Sequence, residues 1–290
     1  MAKTIAEGFA TFLSSLTPNT GESNAAKSHR QSIYNCLKSN FEITRFFRMG
    51  SFGNGTSISG YSDVDYLATV PTKYLKQDST STLRVVKDVL DARFPLTGVK
   101  VNTPAICIPF GKNYSETTEI VPADLVEYKP NKLHVYEIAD GDGGWMKASP
   151  DSHNAYVTYT NTKLNNKVKP LIRFIKAWKY YWNVPISSFY LELRITNYAA
   201  NEQTIVYDMD ILAILGLLSR IELASMQDPM KVSGYIKACK TEAQRQDALS
   251  KLSSALGRVQ KAIQASESNK IEEAFYWWSL FYNERFPSYR

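Results

Sequence analysis

The chain has 290 residues, of which 44% are hydrophobic and 21% charged, and its formal net charge is +6. This composition is typical of a globular protein with one large domain or two modest ones. No apolar run is long enough to span a bilayer and no signal peptide is visible, so we expect a cytoplasmic protein without membrane association. The three cysteines are far apart and form no zinc pattern. The basic charge suits polyanions, including nucleoside triphosphates (NTPs) and nucleic acids.

The hydrophobic spacing predicts an N-terminal half of mixed helices and strands. Over 4–16 the apolar residues recur at helical intervals, and Thr4 with Glu7 forms a capping-box pattern. The remaining elements expected in this half are helices 22–40 and 81–94, strands 41–49, 66–70, 99–101, 105–109 and 119–128, and polar turns 111–117 and 140–144.

From about residue 154 the pattern becomes helical. The predicted helices are 165–182, 190–196, 210–226, 243–266 and 271–281. We therefore predict two domains, 1–153 with a small mixed sheet and N-terminal helices, and 154–290 with helices. A cleft between them is the natural place for a ligand.

The stretch 50–69, GSFGNGTSISGYSDVDYLAT, carries the first chemical signal. Gly50 permits a tight turn in which backbone N–H groups approach a phosphate, and Ser51 adds a hydroxyl donor. Asp63 and Asp65 are two residues apart, so they point to the same side of a strand. Two adjacent carboxylates repel each other, and a divalent cation such as Mg²⁺ relieves that repulsion while it binds substrate phosphates. The alternative is a hairpin loop with two solvated aspartates.

A third carboxylate is expected from a neighbouring strand. Asp124 lies within the apolar strand pattern 119–128, where a charged side chain needs a partner. A shared metal is one such partner, and a salt bridge or an edge position facing water is the alternative. Three carboxylates with two metal ions would support nucleotidyl transfer, in which a hydroxyl attacks an α-phosphate and pyrophosphate leaves.

Polar residues in the helical half could complete such a site. Lys169, Arg173 and Lys176 recur at steps of four and three, so they share a helix face that could neutralise phosphates. A solvated face is the alternative, and we prefer it for Lys169 and Lys179. In 187–192, SSFYLE, a hydroxyl could bind phosphate and a ring could stack on a base, although core and loop roles account for the same residues.

These motifs together resemble a known family. The order GS, loop, DxD and a later lone Asp is that of the polymerase β-like nucleotidyltransferases. The fuller form GSFGNGTSISGYSDVD, with LIRFIKAWK and SSFYLE downstream, resembles the bacterial cGAS/DncV-like nucleotidyltransferases (CD-NTases) over about residues 47–192. The resemblance implies an α/β (α+β) fold with a polymerase β-like core, a helical C-terminal half and an active site in the cleft between them. It also implies synthesis of cyclic oligonucleotide signals in anti-phage defence.

The resemblance further implies roles for residues, cofactors and partners. The positions that match the family's functional residues are the phosphate-turn residues Gly50 and Ser51, the metal-binding carboxylates Asp63, Asp65 and Asp124, the triphosphate contacts Lys176 and Ser188, and the base-stacking Phe189 or Tyr190. The implied cofactors are two Mg²⁺ ions, with Mn²⁺ as a substitute, and the implied substrates are NTPs. Regulatory or effector proteins of a defence operon are expected partners. DNA activation is not expected, because the zinc module of animal cyclic GMP–AMP synthase has no counterpart here.

Three functional hypotheses follow. The first is a template-independent synthase that joins two or three NTPs into a ring, which a chain of this length without an RNA-binding appendage favours. The second is transfer of a nucleotide to RNA, a linear oligonucleotide, a protein or a small molecule. The third is a nucleotide-binding interaction module without turnover, which the three carboxylates disfavour because a pure binder does not need them.

Overall fold

The computed structural model describes the chain except residues 1, 19, 62, 112–115, 130–132 and 290, and it leaves aside the side chains of 20–23, 25, 26, 116 and 129. The chain divides into two compact units, which we call the sheet unit and the helical unit. The sheet unit comprises Pro18–Ala155 and Met230–Ser233, and the helical unit comprises Met1–Thr17, Tyr156–Pro229 and Gly234–Arg290. Among the described residues, no helix is both long enough and apolar enough to cross a membrane.

The sheet unit is built on one mixed sheet. Its strands are β1 (Arg45–Met49), β2 (Val64–Thr69), β3 (Lys100–Asn102), β4 (Ala105–Phe110), β5 (Glu116–Lys129), β6 (Leu133–Ala139) and β7 (Trp145–Ala148). The strand order is β1-β2-β5-β4-β3, and β6 pairs with the second half of β5 and with β7. Only β2 and β5 run parallel among these described pairs. The helices that start in this unit are α2 (Thr20–Phe41), α3 (Gly50–Asn54), α4 (Ser79–Arg93) and α5 (Pro150–Lys163).

The two faces of this sheet have separate apolar clusters, as strand alternation requires. On one face Phe46, Tyr66 and Ile120 pack with buried residues of α2 and α4, such as Leu37 and Leu83. This burial explains why α4 forms where the spacing predicts a helix, and its first turn is capped by Asp78, whose carboxylate accepts from two backbone N–H groups.

The opposite face of the sheet carries a smaller apolar cluster. Leu67, Val121, Ala123 and Tyr136 pack there, with Phe47 of β1 beside them. The cluster contains fewer buried side chains than the other face, and this is the face to which the polar residues discussed below belong.

The helical unit contains α1 (Ile5–Leu16), α6 (Val168–Tyr181), α7 (Ser188–Ala199), α8 (Tyr207–Arg220), α9 (Glu242–Glu267), α10 (Ile271–Phe281) and a small hairpin of β8 (Met226–Gln227) and β9 (Tyr235–Ile236). The predicted capping box of Thr4 and Glu7 is present at the start of α1. The ring of Phe9 lies 5.0 Å from that of Phe174 and 4.9 Å from that of Trp278. These contacts explain why α1 groups with the C-terminal helices, whereas the sequence assigned all N-terminal helices to the first domain.

The predicted fold class, with a small mixed sheet and a helical C-terminal half, is confirmed. Strands β6 and β7 were not predicted, and the loop expected from residue 50 begins instead with the short helix α3. The predicted turn 111–117 lies largely outside the described residues. The division into functional domains at 153 and the cleft between them stay predictions.

Candidate active site

A row of residues crosses the sheet where β2 begins. The strand registers pair Met49 with Asp65, Asp65 with Glu119, and Glu119 with Cys107. Lys100 pairs with Cys107 at the far end of the row. Neighbouring strands lie about 4.8 Å apart, so the side chains of Asp65 and Glu119 are direct neighbours on one face. The row therefore brings two carboxylates together on adjacent parallel strands.

Asp63 adds a third carboxyl group just before β2. Desolvation of this group, and secondarily the negative charge of Glu119, raise the pKa of Asp63 to about 6. The residue as a whole is exposed. The contribution of Glu119 indicates that the acidic groups at this end of β2 and β5 repel one another.

Gly50 lies against the carboxylate of Asp65. Its backbone is left-handed, with a φ of 57°, and a Cβ at this position would overlap Oδ2 of Asp65. Only glycine meets both conditions without strain. The next residue, Ser51, has a half-buried side chain, and its carbonyl oxygen accepts from the backbone N–H of Thr56 at 2.8 Å. The structure thus brings together the glycine and aspartate parts of the motif, which are separated by a loop in the sequence.

Asp124, which the sequence predicts as the third carboxylate, does not belong to this row. It lies five residues beyond Glu119 on β5, a distance of about 17 Å along the strand and, by alternation, on the opposite face. The Thr72 hydroxyl donates to its carboxylate, at 3.2 Å from Oδ1 and 3.1 Å from Oδ2. Its cross-strand partner on β6 is Glu137. The register of β5 on β2 makes Glu119, and not Asp124, the acidic neighbour of Asp65.

Glu119 is not predicted from the sequence, yet a signal for it exists. Glu119 directly precedes the apolar run IVPA, as Asp65 directly precedes YLAT. Two such segments laid side by side in parallel bring the acidic residues together. The apolar surroundings that favoured Asp124 do not distinguish one position along a strand from another.

Lys176 is buried in the helical unit and paired with a carboxylate. Its side chain is 0% exposed, and Nζ donates to Oε1 of Glu192 at 2.8 Å. Glu192 belongs to α7 and is itself 4% exposed. This ion pair disfavours the predicted contact of Lys176 with a triphosphate, because the ammonium is withdrawn from solvent and already bound.

Lys179, one turn further along α6, contacts Ser188 instead. Its Nζ donates to Oγ of Ser188 at 3.0 Å and lies 4.3 Å from the ring centre of Tyr180. The Tyr180 hydroxyl is 3.3 Å from the same Oγ. Burial, and secondarily the charge of Lys176, lower the pKa of Lys179 to about 8. Within the described residues no carboxylate lies within ion-pair distance of Lys179, so this group of side chains is a cationic one without a counter-ion of its own.

The two aromatic residues after Ser188 differ in exposure. Phe189 is 40% exposed, whereas Tyr190 is fully buried and donates its hydroxyl to the Ala224 carbonyl at 2.8 Å. Of the two rings considered for base stacking, only that of Phe189 is exposed to solvent.

The acidic group has the chemistry of a divalent cation site. Hard carboxylate oxygens are what Mg²⁺ and Mn²⁺ bind. The negative charge of Glu119, which adds to desolvation in raising the pKa of Asp63, is one that a bound cation would offset. As the side chains stand, no three Asp, Glu, His or Cys residues in the described part of the chain converge into a complete metal centre. The donor types therefore fit a divalent cation, and the ligands would still have to draw together around it.

Comparisons of the sequence identify relatives. The family described as the Second Messenger Oligonucleotide or Dinucleotide Synthetase domain matches residues 3–161, more than half of the chain. A probable cyclic nucleotide synthase of Bacillus cereus (strain VD146) is 24% identical over 253 residues, which cover 82% of this chain and 75% of that protein.

Comparisons of the structure identify the same fold in solved proteins. The fold is similar to that of E. coli MS115-1 CdnC, solved with ATP, with a TM-score of 0.75 at 17% identity over 97% of this chain and 98% of that one. CdnC has also been solved in a complex with HORMA-deltaN, and that chain matches with a TM-score of 0.75 at 16% identity over 97% of this chain and 98% of that one.

Proposed function

Because the chain belongs to the Second Messenger Oligonucleotide or Dinucleotide Synthetase family and is a nucleotidyltransferase of the cyclic nucleotide synthase group, we propose that it joins NTPs into a cyclic di- or trinucleotide and releases pyrophosphate. The observation that carries this proposal is the register that sets Glu119 beside Asp65, with Gly50 against the same aspartate. Transfer of a nucleotidyl group needs a carboxylate cluster next to a close backbone approach for phosphate, and this row offers both.

We assign the cation-binding role to Asp63, Asp65 and Glu119. When bound, two Mg²⁺ or Mn²⁺ ions would neutralise the phosphates and lower the pKa of the attacking hydroxyl. Asp65 and Glu119 would supply oxygen ligands from two adjacent strands, which fixes the spacing between them, and Asp63 would supply another from just before β2. Gly50 keeps its backbone close to Asp65, in a place where any Cβ would overlap the Asp65 carboxylate. The Ser51 hydroxyl follows directly in the turn and is a donor for a phosphate oxygen.

In the helical unit we assign the anion-binding role to Lys179 and Ser188. Lys179 is a half-buried cation whose ammonium donates to the Ser188 hydroxyl, and a phosphate group would bind both side chains. The exposed ring of Phe189 would stack on a base. Lys176 would contribute through its ion pair with Glu192, which joins α6 to α7 and so fixes the spacing between Lys179 and Ser188.

The reaction is tested by incubating the protein with the four NTPs and Mg²⁺ and treating the products with phosphatase. A labelled product that survives phosphatase supports a ring, and a ladder that phosphatase degrades supports linear transfer instead. If no pyrophosphate is released, even when candidate regulators are present, both enzymatic hypotheses are refuted. The hypothesis of a nucleotide-binding module without turnover would then be the one left.

The carboxylate assignment is tested by a matched pair of variants on the same strand. We expect Glu119→Gln, Asp63→Ala and Asp65→Ala each to abolish product and Asp124→Asn to retain it, with circular dichroism confirming that each variant folds. Loss of product in Asp124→Asn together with normal turnover in Glu119→Gln would reverse the assignment.

A regulated role in anti-phage defence is the biological setting that we propose. CdnC is known in a complex with HORMA-deltaN, and a similar fold would offer this chain comparable surfaces for a regulatory protein. Co-expression with genomic neighbours, followed by the phosphatase assay, tests whether turnover depends on such a partner. Protection of cells from phage that is lost in Glu119→Gln tests the defence role.

A further inference from the structure

A hydrogen bond reaches Glu119 from β3, the edge strand two positions away on the same face of the sheet. Nδ2 of Asn102 donates to Oε1 of Glu119 at 2.9 Å. Asn102 is the last residue of β3 and pairs with Ala105 of β4. β4 lies between β3 and β5, so this hydrogen bond passes over one intervening strand.

The path over β4 is open because the residues on that side are small. Asn102, Ala105 and Cys107 lie on the same face as Glu119, as the registers and strand alternation require. Cys107 is opposite Glu119, and Ala105 is opposite Asn102. The methyl group of Ala105 and the thiol of Cys107 leave the amide room to cross to the carboxylate.

We propose that Asn102 is a positioning residue for the third carboxylate, an inference that rests on the proposed role of Glu119. A glutamate side chain has one more rotatable bond than aspartate, so its carboxylate loses more conformational freedom when it binds a cation. The amide of Asn102 restricts that freedom in advance by binding Oε1. Because an amide is uncharged, it orients the carboxylate without neutralising it, and Oε2 accepts no hydrogen bond from the other described residues. Residues that hydrogen-bond to a metal ligand generally orient that ligand in this way.

The test measures Mn²⁺ binding to the full chain by the electron paramagnetic resonance signal of free Mn²⁺, without NTP or turnover. We expect Asn102→Ala to weaken Mn²⁺ binding about tenfold, which is typical for loss of a residue that orients a ligand. The matched control is Asn40→Ala, since the amide of Asn40 is exposed and donates only to the Cys36 carbonyl within its own helix. This control variant should bind Mn²⁺ as the unmodified protein does.

A double-mutant cycle separates positioning from a general effect on the β3–β4 hairpin. An aspartate at 119 is one methylene shorter and does not reach Asn102. In the Glu119→Asp background, Asn102→Ala should therefore leave Mn²⁺ affinity unchanged. An equal loss in both backgrounds would overturn the inference, as would normal Mn²⁺ affinity in Asn102→Ala alone.

Failure of the inference is distinguishable from failure of the proposed function. If Glu119→Gln loses Mn²⁺ binding and Asn102→Ala does not, only the role of Asn102 is overturned. If Glu119→Gln binds Mn²⁺ normally, the proposed role of Glu119 is overturned and that of Asn102 with it.

Discussion

Replacement of Lys176 by methionine tests whether the buried ion pair of the helical unit supports the fold. Lys176 is wholly inaccessible to solvent and its ammonium lies 2.8 Å from the carboxylate of Glu192, which is nearly inaccessible too. Methionine has a similar length and fits the space, so the substitution removes the charge and leaves the packing largely intact. The carboxylate of Glu192 then remains buried without the cation that balances it.

The expected loss of stability is large. Removal of one partner from a buried ion pair costs about 3–5 kcal/mol. With a urea dependence of about 3 kcal/mol per molar, the upper end for small proteins, this loss lowers the midpoint of unfolding by at least about 1 M. The midpoint is measured by tryptophan fluorescence, which reports on the helical unit because Trp178 and Trp278 are both buried there.

A second variant separates stability from catalysis. In Lys176→Met with Glu192→Leu both charges are gone, and apolar replacement of a buried pair is often neutral or stabilising. We expect this double variant to regain most of the lost stability and to retain NTP turnover within about tenfold, since Lys179 and Ser188 are unchanged. A midpoint for Lys176→Met equal to that of the unmodified protein would refute the stability argument. A stable double variant without turnover would show that the Lys176–Glu192 pair is needed for turnover itself and not only for stability.

Three further predictions concern the proposed site. Gly50→Ala should lower kcat on the order of 100-fold, because the added Cβ displaces the carboxylate of Asp65; pyrophosphate release measures this, and an active variant with a normal circular dichroism spectrum would contradict it. In the presence of EDTA the pKa of Asp63 in the folded protein is about 6, against an ordinary 3.8. Between these values the folded state binds more protons than the unfolded state, so the free energy of unfolding should fall as the pH rises from 4 to 6. Asp63→Asn should flatten that part of the urea-midpoint profile, and an unchanged profile would argue against the raised pKa. Since the pKa of Lys179 is about 8, KM for NTPs should rise above pH 8, and Lys179→Met should raise KM at pH 7 while the exposed Lys163→Met does not.

The local elements of the fold follow from the sequence because each depends on residues a few positions apart. The Thr4 and Glu7 capping box lies within one helical turn, and α10 occupies the range that its apolar spacing predicts. The chemistry of the motif at 50–69 is equally local, since a glycine, a serine and two aspartates at fixed spacing already indicate phosphate and cation binding. The sequence therefore determined the fold class, the family and one strand of the candidate site.

Only the tertiary structure shows which acidic residue lies beside Asp65 and which side chains lie beside Ser188. β2 and β5 are about fifty residues apart in the chain, and sliding one along the other changes which acidic residue faces Asp65; the observed register selects Glu119 over Asp124. On α6 the helical spacing groups Lys176 with the basic face. In the structure α6 packs against α7, where Lys176 is buried and pairs with Glu192, whereas Lys179 donates to Ser188. Register and helix rotation depend on the sum of many contacts between distant segments, which no local pattern in the sequence records.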